Sequence, residues 1–244
     1  MSPKHVVSCS FGKDSIATIL LALEHGEPLD EAVYCEVMFD DATSGEVPEH
    51  RAFIYQAAIP ALEKLGVPVR VLRSEKTYTS VFMGKVTRGP KKGMIRSFPV
   101  CGKCYVQRDC KMHPIRQYQK TLPSDTVQYI GIAKDELRRL TRLGGNQVSL
   151  LEKYGYTEDD AKQLCKQVGL LSPVYEFTDR GGCWFCPNAK LPELRHLYDH
   201  HPDLWQKMMR LQAVPGKVTE KFNRSQKFSD IDAMFREWDL QTAA

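Results

Sequence analysis

The stretch Ser8-Cys9-Ser10-Phe11-Gly12-Lys13-Asp14-Ser15 breaks an apolar run that starts at His5, and the run resumes at Ile16 with helical periodicity. A turn of that composition suits phosphate. The first N–H groups of a helix have no intrahelical partner and lie at the positive end of the helix dipole. Ser8, Ser10 and Ser15 add hydroxyls, Gly12 lets a phosphate approach the backbone past Phe11, and Lys13 adds a cation. Asp14 is of the right type to hold Mg²⁺ against phosphate oxygens. The pattern is neither G-x-x-x-x-G-K-[ST] nor G-x-G-x-x-G.

The cysteines carry a second chemistry. Of eight, four form the Cys-x-x-Cys pairs Cys101/Cys104 and Cys183/Cys186. Each pair spans about one turn, so both of its sulfurs can meet one centre. The pairs lie about 80 residues apart and close one four-thiolate site only through tertiary structure. In a chain read as cytoplasmic, such spacing points to metal or redox chemistry rather than to a disulfide framework. Cys101-Gly-Lys-Cys104 also reads as a zinc knuckle. Cys35 and Cys165 fall in strand and helix patterns and read as core fillers. Cys9 reads as a packing residue, with a reactive thiol as the other possibility.

These groups need a scaffold. The chain has 244 residues, 42% hydrophobic and 26% charged, with a net charge of +4. That is enough for one large α/β domain or a domain with a small appendage. No apolar run approaches the roughly 20 residues that span a bilayer, and the N-terminus lacks a signal-peptide pattern. The expectation is therefore no membrane and a cytoplasmic location. Strands are expected near 5–10, 32–38, 68–72 and 127–132, and helices near 14–25, 48–65, 114–120 and 135–142. This alternation predicts a doubly wound, mainly parallel sheet with its ligand site at the carboxyl ends of the strands. After residue 145 the pattern turns helical. The expected organisation is a nucleotide-binding α/β domain over 1–145 and a helical, cysteine-bearing region over 146–244.

From Lys76 to Arg108 there is no acidic residue, while Lys76, Lys85, Arg88, Lys91, Lys92, Arg96, Lys103 and Arg108 are basic. The segment 76–113 reads as an irregular insertion. Its charge suits a polyanion, although a solvated loop has the same composition.

"SCSFGKDS" resembles the PP-loop, S-x-G-K-D-S, of the adenine-nucleotide α-hydrolase superfamily, and the chain more closely resembles the phosphoadenylylsulfate (PAPS) reductase family. Thr43-Ser44-Gly45-Glu46-Val47-Pro48-Glu49 is similar to that family's acidic segment after its second strand, with the aspartate displaced to Asp40 or Asp41. Gly131 to Leu140, "GIAKDELRRL", resembles its G-I-R-x-D-E-x-x-R segment, with Ala133 where arginine is common. The cysteine-bearing end resembles that of short, phage- or island-encoded members. Near Cys104 the pattern departs from the family, with Val106 at a usual cysteine and Cys110 at a usual leucine.

The resemblance implies ATP or a related adenine nucleotide at Ser8, Ser10, Phe11, Gly12, Lys13, Asp14, Ser15, Gly131 and Arg139, with Lys13, Asp14 and Asp135 acting in catalysis with Mg²⁺. From the residues alone, Asp135 and Glu136 also read as favourable charge at a helix start. The resemblance further implies a centre on Cys101, Cys104, Cys183 and Cys186, with Cys110 as an alternative ligand. A [4Fe–4S] cluster is preferred to Zn²⁺, since Pro187 after Cys186 gives a Cys-Pro ending. The implied activity is an ATP pyrophosphatase that adenylates a substrate, a nucleic acid, for sulfur transfer. Implied partners are DNA or tRNA at 76–108, a cysteine desulfurase and a second copy in a homodimer. The alternatives are a sulfonucleotide reductase and a non-catalytic binding module with a structural metal. The reductase reading lacks a cysteine after Cys186 to serve as nucleophile.

Overall fold

The computed structural model describes residues 3–100 and 104–242, so Cys101 and Lys103 lie outside the described residues. The chain forms two compact units. Met1–Glu36, Val47–Arg73 and Pro114–Gly181 make the first, and Val37–Glu46, Ser74–His113 and Gly182–Ala244 the second.

The first unit holds five parallel strands: β1 (His5–Ser8), β2 (Glu31–Glu36), β3 (Val69–Arg73), β4 (Val127–Ile130) and β5 (Gln147–Val148). Their order is β3-β2-β1-β4-β5, so the chain reverses direction between β1 and β4. Val7 stands beside Ala32 on one side and Tyr129 on the other. These residues and Tyr34 pack against the helix Lys13–Glu24, the helical run 48–64 and the helices Leu150–Lys153 and Glu158–Gln167. Val6 and Val33 face Ile115 and Tyr118 of the helix His113–Gln119. The protein is thus α/β, with a parallel sheet covered on both faces, as the alternating pattern predicts.

β2 is buried along its whole length, which is why it reads as a near-continuous apolar run. Its terminal carboxylates are neutralised rather than exposed. Glu31 meets Lys4 and Arg70, and Glu36 meets Arg51 and Arg73. The expected helix at 48–65 contains a π turn at Ile54–Ala58, just where Pro60 withdraws a backbone donor. β5 is too short to show a sequence pattern.

In the second unit, helices Leu191–His200, Pro202–Ala213 and Phe228–Thr242 gather around Trp205, whose Nε1–H donates to Asp232 at 2.7 Å. The described residues of the segment expected to be irregular hold regular elements. Thr77 and Ser80 form a capping box on the helix Tyr78–Met83, and Gln107–Met112 is a π turn. Between them, Val86 and Met94 pair as an antiparallel arm. Edge-to-face rings of Phe82, Phe98 and Phe222 hold this segment within the unit. Low local hydrophobicity hid this order, because tertiary contacts supply it.

Gly131 follows β4. A Cβ there would stand 2.8 Å from the Asp14 carbonyl carbon and 2.9 Å from Asp14 O and Ser15 N. Gly131→Ala is expected to cost about 1–3 kcal/mol in denaturant unfolding. Gly144→Ala, with nothing within 4 Å of the added methyl, is the control expected to change stability little.

Candidate functional site

At the carboxyl end of β1 the backbone turns through Phe11, a non-glycine residue at φ 57°. Left-handed backbone costs such a residue about 1–2 kcal/mol. The Phe11 side chain offsets this cost: it is fully buried and meets Tyr34 edge-to-face with centroids 5.1 Å apart. Gly12 then begins the helix with no side-chain cap. Around it, Ser10 N–H donates to Ser15 Oγ at 3.2 Å, and Ser15 O–H to Gly12 O at 3.0 Å. Phe11 N–H donates to Cys9 Sγ at 3.4 Å. The Ser15 and Cys9 side chains therefore brace the turn from within, while Ser8 and Ser10 are exposed.

Lys13 is buried, with Nζ 2.8 Å from Asp14 Oδ1 and 3.0 Å from Glu158 Oε1. Burial disfavours its charge, but the bonds to Asp14 and Glu158 outweigh this and hold its pKa above the usual lysine value. Burial pushes the Asp14 carboxyl up. Lys13 opposes that rise, while Glu158 and Glu136 add to it. Asp135 Oδ1 accepts from Glu158 N–H at 3.2 Å, which joins the β4 loop to the same cluster. Lys13 thus faces the carboxylates of Asp14 and Glu158, oxygen donors of the type that holds a divalent cation.

Gly131 lies against the turn itself. Arg139 is half-exposed and pairs with Glu136 at 2.6 Å. Three further residues hold the turn without having been singled out in the sequence. Tyr175 Oη accepts from Lys13 N–H at 2.9 Å. Buried His50 places Nε2 3.2 Å from Ser10 O and Nδ1 2.8 Å from Ser172 Oγ. Since a carbonyl only accepts, Nε2 carries the proton and Ser172 donates to Nδ1. Glu158 lies 145 residues from Lys13. Its place after Thr157 signals helix capping, and nothing in the sequence around Tyr175 or His50 marks their contacts.

In the second unit, Cys183 is pushed up by burial first, then by Glu46, with Cys186 and Cys104 also raising it and Lys111 opposing. Cys104, Cys183 and Cys186 therefore share one electrostatic neighbourhood. Gln107 N–H donates to Cys104 Sγ at 3.4 Å, and Cys186 N–H to Cys183 O at 3.0 Å. Among the described residues no three cysteine sulfurs lie within 4.8 Å of one another. Four thiolates closing on one zinc would stand about 3.8 Å apart, given Zn–S near 2.3 Å. Cys110 is fully buried on the π turn. Trp184 and Phe185 are buried too, with Trp184 Nε1–H donating to Ser44 O at 2.9 Å. They pack the knuckle rather than present faces to a base. A Cβ on Gly45 would stand 2.6 Å from Val37 O and 3.0 Å from the Phe185 ring, so the segment 37–46 tolerates only glycine there.

Lys85, Arg88, Lys91 and Lys92 are exposed on the arm. Lys91 reaches Val218 O at 3.3 Å, whereas Lys85, Arg88 and Lys92 form no ion pair among the described residues. Arg96 and Arg108 turn to Asp109. No described helix is long and apolar enough to cross a membrane.

No family model matches the chain, and no curated protein matches it. Among solved structures the chain is similar to U34-tRNA thiolase NcsA from Methanococcus maripaludis with its [4Fe–4S] cluster. The two are 16% identical over 84% of this chain and 67% of that chain, with a TM-score of 0.41. At that identity and overlap, residue roles come from this chain's own geometry.

Asp40, in the same segment as Gly45, is held at about 2. Burial acts to raise it, but bonds from Lys207 and Thr43 and from the backbone of Ala42 and Thr43 overcome that effect. Its folded pKa lies below the ordinary 3.8, so its stabilising effect is present above about pH 4 and fades as pH falls toward 2. Lys207→Met is expected to lower the urea midpoint at pH 6 and to flatten its decline between pH 4 and 2.

Proposed function

We propose that the chain is an ATP pyrophosphatase-type enzyme of the PP-loop superfamily, similar to the PAPS reductase family, that adenylates a nucleic acid for sulfur transfer. The turn at the β1–β4 switch point carries this reading: it is strained at Phe11, uncapped at Gly12 and lined by Lys13. Open α/β sheets take their ligands at such a point.

ATP would lay its phosphates on the turn, against the exposed Ser8 and Ser10 hydroxyls and the start of the helix. Lys13, turning from Glu158, would meet phosphate oxygen. An acceptor oxygen attacks the α-phosphorus, the new P–O bond forms, and the bond to the bridging oxygen breaks. Pyrophosphate leaves with that electron pair. Positioning and charge neutralisation suffice for such a reaction. Mg²⁺, held by Asp14 with Glu158 and Asp135 nearby, would neutralise phosphate charge. A hydrosulfide nucleophile would then attack the adenylated atom of the acceptor, forming the bond to sulfur as the bond to the AMP oxygen breaks and AMP leaves with that electron pair.

Cys104, Cys183 and Cys186, together with Cys101 and with Cys110 as the alternative, would hold the inorganic centre. The Cys186-Pro187 ending favours a [4Fe–4S] cluster over zinc. When bound, that cluster would supply a site for the transferring sulfur. The described thiols weigh against a sulfonucleotide reductase, because Cys9 and Cys110 are buried and neither offers an exposed nucleophile. The exposed arm at 85–92 suits a polyanionic acceptor.

With ATP and DNA or tRNA, wild-type protein is expected to release pyrophosphate, and Asp14→Asn to lower that rate by on the order of 100-fold or more. Nucleotide binding without release would instead indicate a binding module. Replacing Arg88, Lys91 and Lys92 by alanine is expected to weaken nucleic-acid binding for all sequences alike. It should also reduce the salt dependence by roughly 0.9 per lost phosphate contact on duplex and about 0.7 on single strands.

A further inference from the structure

Tyr175 lies half-buried on the helical turn Pro173–Glu176, with Lys162 Nζ 6.0 Å from its ring centroid. Its hydroxyl oxygen accepts the Lys13 N–H at 2.9 Å, so the first N–H of the helix Lys13–Glu24 is spent on a side chain. A phenol oxygen that accepts keeps its own proton to give. Among the described residues no acceptor takes that proton. A Cβ on Gly12 would stand 3.1 Å from this oxygen and 3.5 Å from Ser10 Oγ. The bare Cα of Gly12 therefore borders on both hydroxyls. Ser10 is exposed, and its hydroxyl also donates to no described residue. Ser172 donates to His50, whose Nε2–H holds Ser10 O, so the short segment 172–175 fixes both hydroxyl-bearing residues.

Two uncommitted hydroxyl protons beside a residue without a side chain make a donor pair for an anion, and the positive end of the helix adds to their pull. We propose that Tyr175 is a phosphate-binding residue, whose O–H donates with that of Ser10 to a phosphate oxygen of the nucleotide. This rests on the nucleotide reading above and adds a ligand group from outside the Ser8–Ser15 turn. The Lys13 N–H polarises the phenol it binds, so the backbone donor is handed on to the ligand through a side chain. Gly12 gains a reason as well, since a methyl there would crowd the Tyr175 oxygen and cover the place between the hydroxyls. A tyrosine that merely capped the helix predicts the reverse effect on binding, because its removal would release the Lys13 N–H to phosphate.

The test titrates the full chain with ATP in a calorimeter at constant Mg²⁺. Tyr175→Phe is expected to weaken ATP binding about 10-fold or more, as for the loss of a hydrogen bond to a charged group. Unchanged or tighter binding overturns the role of Tyr175 and leaves the nucleotide reading standing. Wild-type protein that binds no ATP overturns both. A second measurement keeps the hydroxyl and the fold, with a ring-fluorinated tyrosine placed at position 175 alone. Its fluorine resonance is expected to move when ATP binds. A resonance that stays in place while ATP binds overturns the proposal, whether or not Tyr175→Phe folds.

Discussion

The backbone of residue 131 touches the backbone of residues 14 and 15, with no room for even a methyl group between them. The rest of the candidate nucleotide site follows from that contact. β1 and β4 are neighbours in the sheet, and their connections diverge to opposite sides, so the two loops that leave their carboxyl ends begin almost in contact. With β4's loop this close, the β1 loop must turn sharply into its helix. Phe11 adopts the left-handed conformation that makes the turn, and the buried ring holds it there. His50 and Tyr175 then brace the turn through Ser10 O and Lys13 N–H.

Both candidate centres gather acidic or ionisable groups: buried Lys13 meets Asp14 and the exposed Glu158, and Cys183 lies in electrostatic reach of Glu46, Cys186 and Cys104. Around Lys13, the carboxylates of Asp14 and Glu158 outnumber the cation, and burial pushes Asp14 up. Around Cys183, burial and Glu46 raise the thiol, and Lys111 opposes them. Isolated charges are expensive in such places, and nearby cations or metals relieve the cost. Under the proposed function each set of groups would suit a cationic or inorganic partner. The two sets belong to two compact units, each with its own aromatic or aliphatic core.

Much of this was legible in the amino-acid order. The apolar runs of β1, β2 and β4 stand out because parallel strands covered on both faces lose their polar alternation. The proposed chemistry of the glycine-lysine-aspartate turn and of the cysteines rests on residue type and spacing. Helix starts at Pro48 and Glu158 follow local rules of proline placement and capping. The segment 74–113 was not legible. Its helix, arm and π turn owe their order to Phe98, Phe222 and Asp109, distant or weakly patterned residues that no local window connects.

What the sequence determined by itself was therefore the class of sheet, because hydrophobic period is a local property, while side-chain type carries the proposed chemistry. Tertiary structure alone decided which groups meet. It set Glu158 on Lys13 across 145 residues, His50 under Ser10 and Tyr175 on the Lys13 N–H. Such pairings depend on strand order and on the path of the chain between units. No spacing rule carries that information, since the closing contacts come from side chains that are unremarkable until the backbone brings them together.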